Sequence, residues 1–352
     1  MSKKQGQKII EKWFQEKGLT PFDWQKNVWE NIHQDKSGLL NAPTGSGKTF
    51  ALFMPAIIRW IDEHPEKYTQ LQNNGLQLLW ITPLRALAKD IEQAMQDVVE
   101  ELNIPWKIQR RTGDVSSSVK QRQKKQMPEV LITTPESLHI LLAQKGYPKR
   151  FKNLKTVVVD EWHELIASKR GTQTELGLSR LFGMKPDLQA WGISATIGNL
   201  PEALEILLGS ERAKNGSIIK ADVKKNINAH SVLPDDVEKF PWSGHLGIQL
   251  LPKILPILEE PGSTLIFTNT RSQSEIWFRN ILEAKPELAG TIALHHGSLS
   301  SEVRNWVEDA LHAGTLKTVV CTSSLDLGVD FRPVDKVIQI GSPKGVSRFL
   351  QR

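Results

Sequence analysis

The sequence predicts an α/β fold made of two tandem parallel-sheet units. Short apolar runs of strand type alternate with helical patterns along most of the chain, which is typical of parallel sheets. The alternation fades once, over residues 222–246, and then restarts. A length of 352 residues is also too great for one ordinary hydrophobic core. We therefore expect a first domain at residues 1–221, a linker at 222–246 and a second domain at 247–352.

Nine segments have the composition of buried strands. In the first unit they are residues 37–40, 77–81, 130–133, 156–159 and 189–194. In the second unit they are residues 263–267, 290–294, 318–321 and 336–340. Each is followed by a loop rich in Gly, Thr, Ser or Pro and then by a helix. These loops should collect at the carboxyl edge of each sheet, where open α/β sheets bind ligands.

The composition is that of a globular protein with a modest positive charge. Lys and Arg number 45 against 39 Asp and Glu, a formal charge of +6, which weakly favours a polyanionic partner. No apolar run approaches the ~20 residues that span a bilayer, and the polar N-terminus lacks the apolar segment of a signal peptide. The single cysteine, Cys321, has no partner for an internal disulfide. We therefore expect a cytoplasmic protein.

A glycine-rich loop, residues 42–49 with the sequence APTGSGKT, follows the first predicted strand and precedes a helix. Glycines let successive backbone N–H groups of such a loop point at phosphate oxygens. Lys48 can reach the β- and γ-phosphates, and the Thr49 hydroxyl can bind Mg²⁺. A chance Gly/Ser turn is the alternative, which the flanking strand and helix disfavour. The loop predicts a nucleoside triphosphate site formed by Thr44, Gly45, Ser46, Gly47, Lys48 and Thr49.

Two acids, Asp160 and Glu161, follow the β-branched run of residues 157–159. Phosphoryl transfer needs a carboxylate near the metal and a group that orders the attacking water. Asp160 is placed to bind Mg²⁺, and Glu161 to orient and deprotonate the water. The alternative is an acidic helix N-terminus without chemistry, where carboxylates are favourable anyway. Triphosphate binding alone leaves kinases, GTPases, transporters and motors open, although the guanine-reading Asn-Lys-x-Asp segment of GTPases is not found.

Further short motifs at predicted strand ends narrow the choice. In the first unit they are residues 21–25 (PFDWQ), 82–87 (TPLRAL), 111–114 (RTGD), 133–137 (TTPES), 160–163 (DEWH) and 194–196 (SAT). In the second unit they are residues 267–271 (FTNTR), 296–298 (HGS) and 322–330 (TSSLDLGVD). In this order they resemble the motifs of superfamily 2 helicases of the DExH type. Longer phrases are similar to the Lhr (large helicase-related) family, especially its bacterial ligase-associated branch; they lie at residues 80–90, 160–165, 168–171, 191–199 and 241–247.

The resemblance implies two RecA-like domains with an ATP cleft between them. It also implies a motor that uses ATP and Mg²⁺ to move 3′ to 5′ on single-stranded DNA in DNA repair, with repair enzymes such as a ligase or nuclease as partners. Two alternatives stay open. One is a motor directed to RNA or to double-stranded nucleic acid, and the other is a clamp whose ATP controls its affinity for nucleic acid.

The resemblance also carries roles for individual residues. Gln25 would read the adenine edge, and Gly328 and Asp330 would line the ATP site. Coupling between ATP and nucleic acid would fall to His163, Ser194 and Thr196. The residues expected to contact nucleic acid are Pro83, Arg85, Arg111, Thr112, Gly113, Thr134, Pro135, Glu136, Ser137, Thr270, Arg271, His296, Gly297, Thr322 and Ser323.

The family's motif VI reads Gln-Arg-x-Gly-Arg-x-Gly-His, and the sequence ends at its first two residues, Gln351 and Arg352. By this match Arg352 is a catalytic candidate, and the second arginine, the expected arginine finger, lies beyond the sequence. We therefore expect a fragment that binds ATP and hydrolyses it slowly.

Two other sets of residues have both a structural and a functional interpretation. The basic run at residues 120–125 is more typical of a solvated helix face than of a DNA contact, for which Arg110 and Arg111 are better candidates. The tryptophans suggest base stacking, but most should pack in the core, Trp162 and Trp191 above all.

Overall fold

The computed structural model describes residues 5–43, 45–222, 227–234, 247–325, 334–343 and 349. The chain divides into two compact units, residues 1–224 and 225–352. Each unit has one parallel sheet with helices packed against it, which confirms the predicted α/β class with two parallel-sheet units. The expected linker at residues 222–246 lies largely outside the described residues, and the exact domain boundaries stay a prediction.

The first unit contains seven strands and eleven helices in the described residues. The strands are β1 (Gly38–Asn41), β2 (Leu78–Ile81), β3 (Ile108–Arg111), β4 (Val130–Thr133), β5 (Thr156–Val159), β6 (Gln189–Ser194) and β7 (Ser217–Lys220). The helices are α1 (Gln5–Glu16), α2 (Asp23–His33), α3 (Lys48–Glu63), α4 (Arg85–Glu101), α5 (Ser117–Lys125), α6 (Pro135–Leu142), α7 (Tyr147–Arg150), α8 (Trp162–Leu165), α9 (Lys169–Met184), α10 (Leu200–Leu208) and α11 (Ser210–Ala213).

The strand order of this sheet is β3-β4-β2-β5-β6-β1-β7, and every pair is parallel. Strand β6 lies between β5 and β1, with Val159 opposite Gly192 and Asn41 opposite Ser194. All carboxyl ends point the same way, so the loops after β1, β5 and β6 leave the sheet side by side. This order brings the glycine-rich loop, the acid pair and the SAT motif together.

Apolar side chains cover both faces of this sheet, as expected for strands buried between helices. One face packs against α1 to α4, with Trp80 and Trp191 in its core. The other face packs against α6 and α8 to α10, with Trp162 in its core. The side chains of Trp162 and Trp191 are fully buried, which confirms their predicted place. Gly192 lets Leu39 and Leu207 approach, because a Cβ there would lie 2.8 Å from each side chain.

The second unit has a four-stranded parallel sheet in the described residues, ordered β11-β8-β10-β9. Its strands are β8 (Thr264–Phe267), β9 (Ile292–His295), β10 (Thr318–Cys321) and β11 (Lys336–Gln339), and its helices are α12 (Leu251–Glu259), α13 (Arg271–Ala284) and α14 (Ser301–His312). Two apolar clusters cover the two faces of the sheet, one around Trp277 and the other around Phe267 and Cys321. Within the described part of the chain, no helix has the length and apolarity needed to cross a membrane.

All nine predicted strands are present, each with its ends within two residues of the expected ones. Strands β3 and β7 were missed. Strand β3 carries Gln109, Arg110 and Arg111, and β7 has only two apolar residues, Ile218 and Ile219. Both are edge strands of the sheet, where one side of the strand faces no neighbour and the apolar run that marks a central strand is not needed.

Candidate functional site

The glycine-rich loop joins β1 to α3. Gly45 and Gly47 have φ angles of +74° and +83°, in the left-handed region that favours glycine. The Ser46 hydroxyl donates to the Pro43 carbonyl at 2.7 Å and tightens the turn. Helix α3 begins at Lys48 with no side-chain cap on its first N–H groups. A helix start of this kind can bind an anion through its free N–H groups and its dipole.

Gln25 ties helix α2 to this loop. Its side chain is buried, its Nε2 donates to the Gly47 carbonyl at 3.1 Å, and its Oε1 accepts from the Phe22 N–H at 2.9 Å. A Cβ at Gly47 would lie 2.9 Å from the Gln25 Nε2. Gln25 therefore holds the loop in place, a role that its spacing in the sequence did not reveal, and its contact with adenine stays a prediction.

The acid pair stands opposite the loop, at the carboxyl end of β5. The Lys48 Nζ lies 3.4 Å from the Glu161 Oε1, and the two side chains are only 10% and 5% exposed. Asp160 accepts from the Glu161 N–H at 2.8 Å and from the Trp80 Nε1 at 3.3 Å. Glu161 itself has a φ of +46°, an uncommon conformation for a residue with a Cβ. Lys48, Asp160 and Glu161 are thus brought together as predicted from the sequence.

This cluster carries an excess of buried negative charge. Burial and, second, the charge of Glu161 raise the pKa of Asp160 to about 6, against the lowering effect of Lys48. Two carboxylates facing one ammonium group fit a divalent cation. In the described residues no group of three or more His, Cys, Asp or Glu forms a metal cage. Mg²⁺ needs none, because it usually takes one or two carboxylates with waters and phosphate oxygens. Thr49, in the first turn of α3, and Asp160 are the residues that would hold it.

The pH dependence of stability tests this electrostatic description. The pKa of Asp160 rises from 3.8 to about 6 on folding, so the native protein holds this proton more tightly than the unfolded chain does. The stabilisation of the folded state by protonated Asp160 is fully present below pH 3.8 and is lost as the pH rises through about 6. At about 1.36 kcal/mol per pKa unit the loss is roughly 3 kcal/mol. We expect Asp160→Asn to abolish this pH dependence. In urea unfolding without nucleotide or metal, the free energy of unfolding of the variant should therefore rise relative to that of the wild type as the pH rises. The same pH dependence in both proteins would refute the assignment.

His163 connects the acid pair to the loop after β6. Its Nδ1 lies 3.4 Å from the Glu161 Oε2 and 3.3 Å from the Ser194 hydroxyl. The Asn41 amide, at the end of β1, donates to the Ser194 carbonyl at 3.3 Å. Thr196 follows two residues later and is half-buried. Of the residues expected to couple ATP to nucleic acid, His163 therefore contacts the cluster and Ser194 contacts His163, while Thr196 is placed only by position. The coupling itself stays a prediction.

The guanidinium of Arg111 is not exposed, as a contact with a nucleic-acid phosphate would require. Its side chain is buried, and its Nη1 donates to the Lys120 carbonyl and to the Gln123 Oε1, both at 3.1 Å. Burial, followed by the charge of Arg150, lowers the pKa of this guanidinium. Arg110 pairs with Glu92 at 2.5 Å. This arrangement favours a structural role for Arg111, which holds α5 against β3, because a phosphate contact needs an exposed guanidinium.

The other expected contacts of the first unit follow β2, β3 and β4. Thr112, Thr134 and Ser137 are buried, and the Thr134 hydroxyl caps α6 by accepting from the Ser137 N–H at 3.5 Å. Pro135 begins that helix. Glu136 is exposed and accepts from the Arg170 Nε at 2.6 Å. Three expected contacts are placed only by position: Gly113 in the exposed loop after β3, Pro83 after β2, and Arg85, whose side chain lies outside the described residues, at the start of α4.

The second unit places its expected contacts after β8, β9 and β10. Thr270 caps α13, and the Arg271 Nη1 donates to the Ser298 hydroxyl at 2.7 Å. His296 is buried 3.3 Å from the Glu275 Oε1. Three further expected contacts lie in exposed or half-buried positions, Gly297 after β9 and Thr322 and Ser323 after β10. The predicted roles of Thr44, Gly328, Asp330 and Arg352 concern residues outside the described ones.

Sequence reasoning missed one network in this unit. His295, at the end of β9, is buried, with its Nδ1 2.7 Å from the Ser324 hydroxyl and its Nε2 3.0 Å from the Glu308 Oε1. The Ser324 hydroxyl also donates to the His295 carbonyl at 3.0 Å. The network ties the loop after β10 to α14. No spacing of the sequence pointed to it, because its members come from three separate motifs or helices.

Comparison with known proteins agrees with the site. The profile of the DEAD/DEAH box helicase family matches residues 22–204, and that of the helicase conserved C-terminal domain matches residues 247–352. The chain is 36% identical to the ATP-dependent helicase Lhr-Core protein 2 of Thermococcus barophilus over 358 residues, covering 97% of this chain but 41% of that protein. It therefore spans less than half the length of this relative.

Two solved structures resemble the fold closely. One is the Mycobacterium smegmatis helicase Lhr bound to ssDNA and AMP-PNP, with a TM-score of 0.79 and 32% identity, covering 97% of this chain and 44% of that one. The other is the DUF1998 helicase MrfA bound to DNA, with a TM-score of 0.75 and 25% identity, covering 94% and 46%.

Proposed function

The chain belongs to the DEAD/DEAH box helicase family, with relatives of the Lhr type, and from this premise we propose that it is the motor of an ATP-dependent helicase. In this proposal it moves 3′ to 5′ on single-stranded DNA in the cytoplasm and acts in DNA repair with enzymes such as a ligase or nuclease. The direction and the repair role rest on the motif resemblance. The choice of DNA is supported by the similar Lhr and MrfA structures, which hold ssDNA and DNA respectively.

The observation that carries the proposal is the contact between Lys48 and Glu161. The Lys48 ammonium group lies 3.4 Å from the carboxylate that would act as the general base. A triphosphate bound on the loop offers Lys48 a stronger partner than Glu161, because the triphosphate group carries more negative charge than one carboxylate group. When Lys48 turns to the phosphates, Glu161 is released to orient the attacking water and accept its proton. Mg²⁺ held by Thr49 and Asp160 would neutralise charge on the phosphate oxygens.

The contacts of His163 supply a route from this chemistry to the nucleic acid. His163 lies beside both Glu161 and Ser194, so a shift of the Glu161 carboxylate would move His163 and, through it, the loop after β6. In this proposal the occupancy of the ATP site sets the position of the SAT loop, and ATP turnover alternates the grip on the strand between two states.

Strand displacement on matched substrates tests the proposal. We expect ATP-dependent unwinding of a DNA duplex with a 3′ tail and none of the same duplex with a 5′ tail. Unwinding of RNA but not DNA would replace the substrate, and unwinding from the 5′ tail would reverse the direction. ATP-controlled binding without unwinding or translocation would favour the clamp alternative.

A further inference from the structure

Two segments of the first unit contain basic residues and no acidic ones. Residues 115–128 and 137–159 contain nine Lys and Arg and no Asp or Glu. The excess of the whole chain is +6, so the remaining residues have a net charge of −3. One of the nine, Lys155, pairs with Glu63 of α3 at 3.6 Å and so belongs to the other face of the sheet. The other eight, which we call the basic surface, are Lys120, Arg122, Lys124, Lys125, Lys145, Lys149, Arg150 and Lys152. Six of the eight are exposed and two are half-buried.

The basic surface lies on one face of the first sheet. Helix α5 packs on the side of β3 from which Gln109 projects, since the Gln123 Nε2 donates to the Gln109 Oε1 at 3.1 Å. Arg110, the residue between Gln109 and Arg111, points to the opposite face and pairs with Glu92 of α4. Side chains alternate along a strand, so α5 and α4 pack on opposite faces of the sheet. Helix α6 also packs on the face opposite α4, in the apolar cluster around Trp162, and α5 therefore shares its face with α6.

The two segments are linked at both edges of the sheet through residues that lie between them. Towards the carboxyl edge, the buried Arg111 donates to α5, and Arg150 of α7 lies near enough to lower the pKa of Arg111. At the amino edge, the Gln126 amide bonds to Asn73, and the Asn153 Nδ2 donates to the Asn74 carbonyl at 2.7 Å. The basic surface therefore extends from the loop at residues 112–114, where the Lys120 Nζ donates to the Gly113 carbonyl, to Lys152 after α7.

The aromatic residues of the two segments are not open to bases. Phe151 is buried. Tyr147 is covered by Arg180, whose Cζ lies 5.4 Å from the ring centroid and whose Nε donates to the hydroxyl at 2.5 Å. Proteins that grip single strands usually stack bases on exposed rings. A surface of cations without such rings suits a backbone whose bases are already paired.

We propose that the basic surface binds the phosphate backbone of a nucleic-acid duplex, next to the single strand on the loops after β3 and β4. The inference rests on the proposed function for that single strand. Asp114 lies in the loop after β3, which is expected to hold the single strand, and helix α5 starts three residues later. A duplex that continues the single strand would therefore reach the basic surface directly. The surface would hold the duplex while the motor moves along the tail.

The test removes three exposed lysines of the basic surface in one variant, Lys124→Gln/Lys149→Gln/Lys152→Gln. A matched control removes three exposed lysines near helix α1 on the opposite face, Lys8→Gln/Lys12→Gln/Lys67→Gln. Fluorescence anisotropy without nucleotide compares a tailed DNA duplex with the single-stranded tail alone over a range of salt. We expect the surface variant to bind the tailed duplex about tenfold more weakly and to lower its salt slope by about 2–3, at roughly 0.9 per phosphate contact. Its binding to the tail and its tail-stimulated ATPase should match the control.

Each other result overturns the inference. Equal duplex affinity and salt slope in the two variants would show that the surface takes no phosphate backbone, and weaker binding to the tail alone would place the single strand there. Loss of poly-L-glutamate binding with duplex binding retained would identify an acidic protein partner. Failure of the proposed function has a separate readout, since wild-type protein would then show no nucleic-acid-stimulated ATPase whatever the two variants bind.

Discussion

Glu161→Gln is expected to lower ATP turnover about 10²–10⁴-fold, the usual contribution of a general base, while ATP still binds. The substitution keeps the shape of the side chain and removes the basic carboxylate, whose Oε1 lies 3.4 Å from the Lys48 Nζ. Binding should persist, because the N–H groups of the loop and the Lys48 ammonium group are unchanged. Single-turnover hydrolysis and a fluorescent ATP analogue measure the two properties separately.

The same substitution should not destabilise the protein. Glu161 is one of the two causes that raise the pKa of Asp160, so its removal relieves repulsion in a buried site. We expect an unchanged or higher melting temperature, a pattern typical of residues kept for chemistry at some cost in stability. Glu164→Gln, in the first turn of α8, is the matched control and should retain turnover. Normal turnover in Glu161→Gln, or equal losses in both variants, would remove Glu161 from the proposed role.

Local pattern was enough for most of this fold. Central strands such as β4 and β5 are continuous apolar runs because helices cover both of their faces, and that burial is visible in four consecutive residues. Edge strands carry no such mark. Strand β3, with Gln109 and two arginines, looks like a polar loop until its pairing with β4 is known. The missed strands are therefore those whose stability comes from one neighbour.

The candidate site was predictable where one strand end supplies the chemistry, and much less where side chains from distant segments meet. Strand order alone explains why Lys48 and Glu161 are neighbours, although 113 positions separate them. Spacing could not show that Arg111 turns inward to hold α5, because both choices have the same sequence. Nor could it show that Gln25 holds Gly47, since that contact depends on how α2 packs against the loop.

Lys48→Ala is expected to weaken ATP binding about 10–100-fold, which corresponds to the roughly 1.5–3 kcal/mol of a hydrogen bond to a charged group. It should also destabilise the protein without nucleotide. The Lys48 charge lowers the pKa of Asp160 and pairs with Glu161, so its loss leaves two buried carboxylates without the lysine that partly neutralises them. Removing one partner of a buried pair typically costs about 3–5 kcal/mol when the other stays charged. Isothermal titration and urea unfolding at neutral pH measure the two effects.

A double-mutant cycle separates charge from packing in this result. If uncompensated carboxylates cause the instability, Lys48→Ala/Glu161→Gln must be more stable than Lys48→Ala, because the second change removes one of the two buried charges. If the lost packing of the Lys48 methylene groups is the cause, the second change will have no such effect. Lowering the pH below about 6, where Asp160 takes up its proton, should narrow the gap between Lys48→Ala and wild type for the same reason. Lys36→Ala, at the exposed amino edge of the sheet, should change neither ATP binding nor stability, and a comparable loss there would contradict a specific role for Lys48.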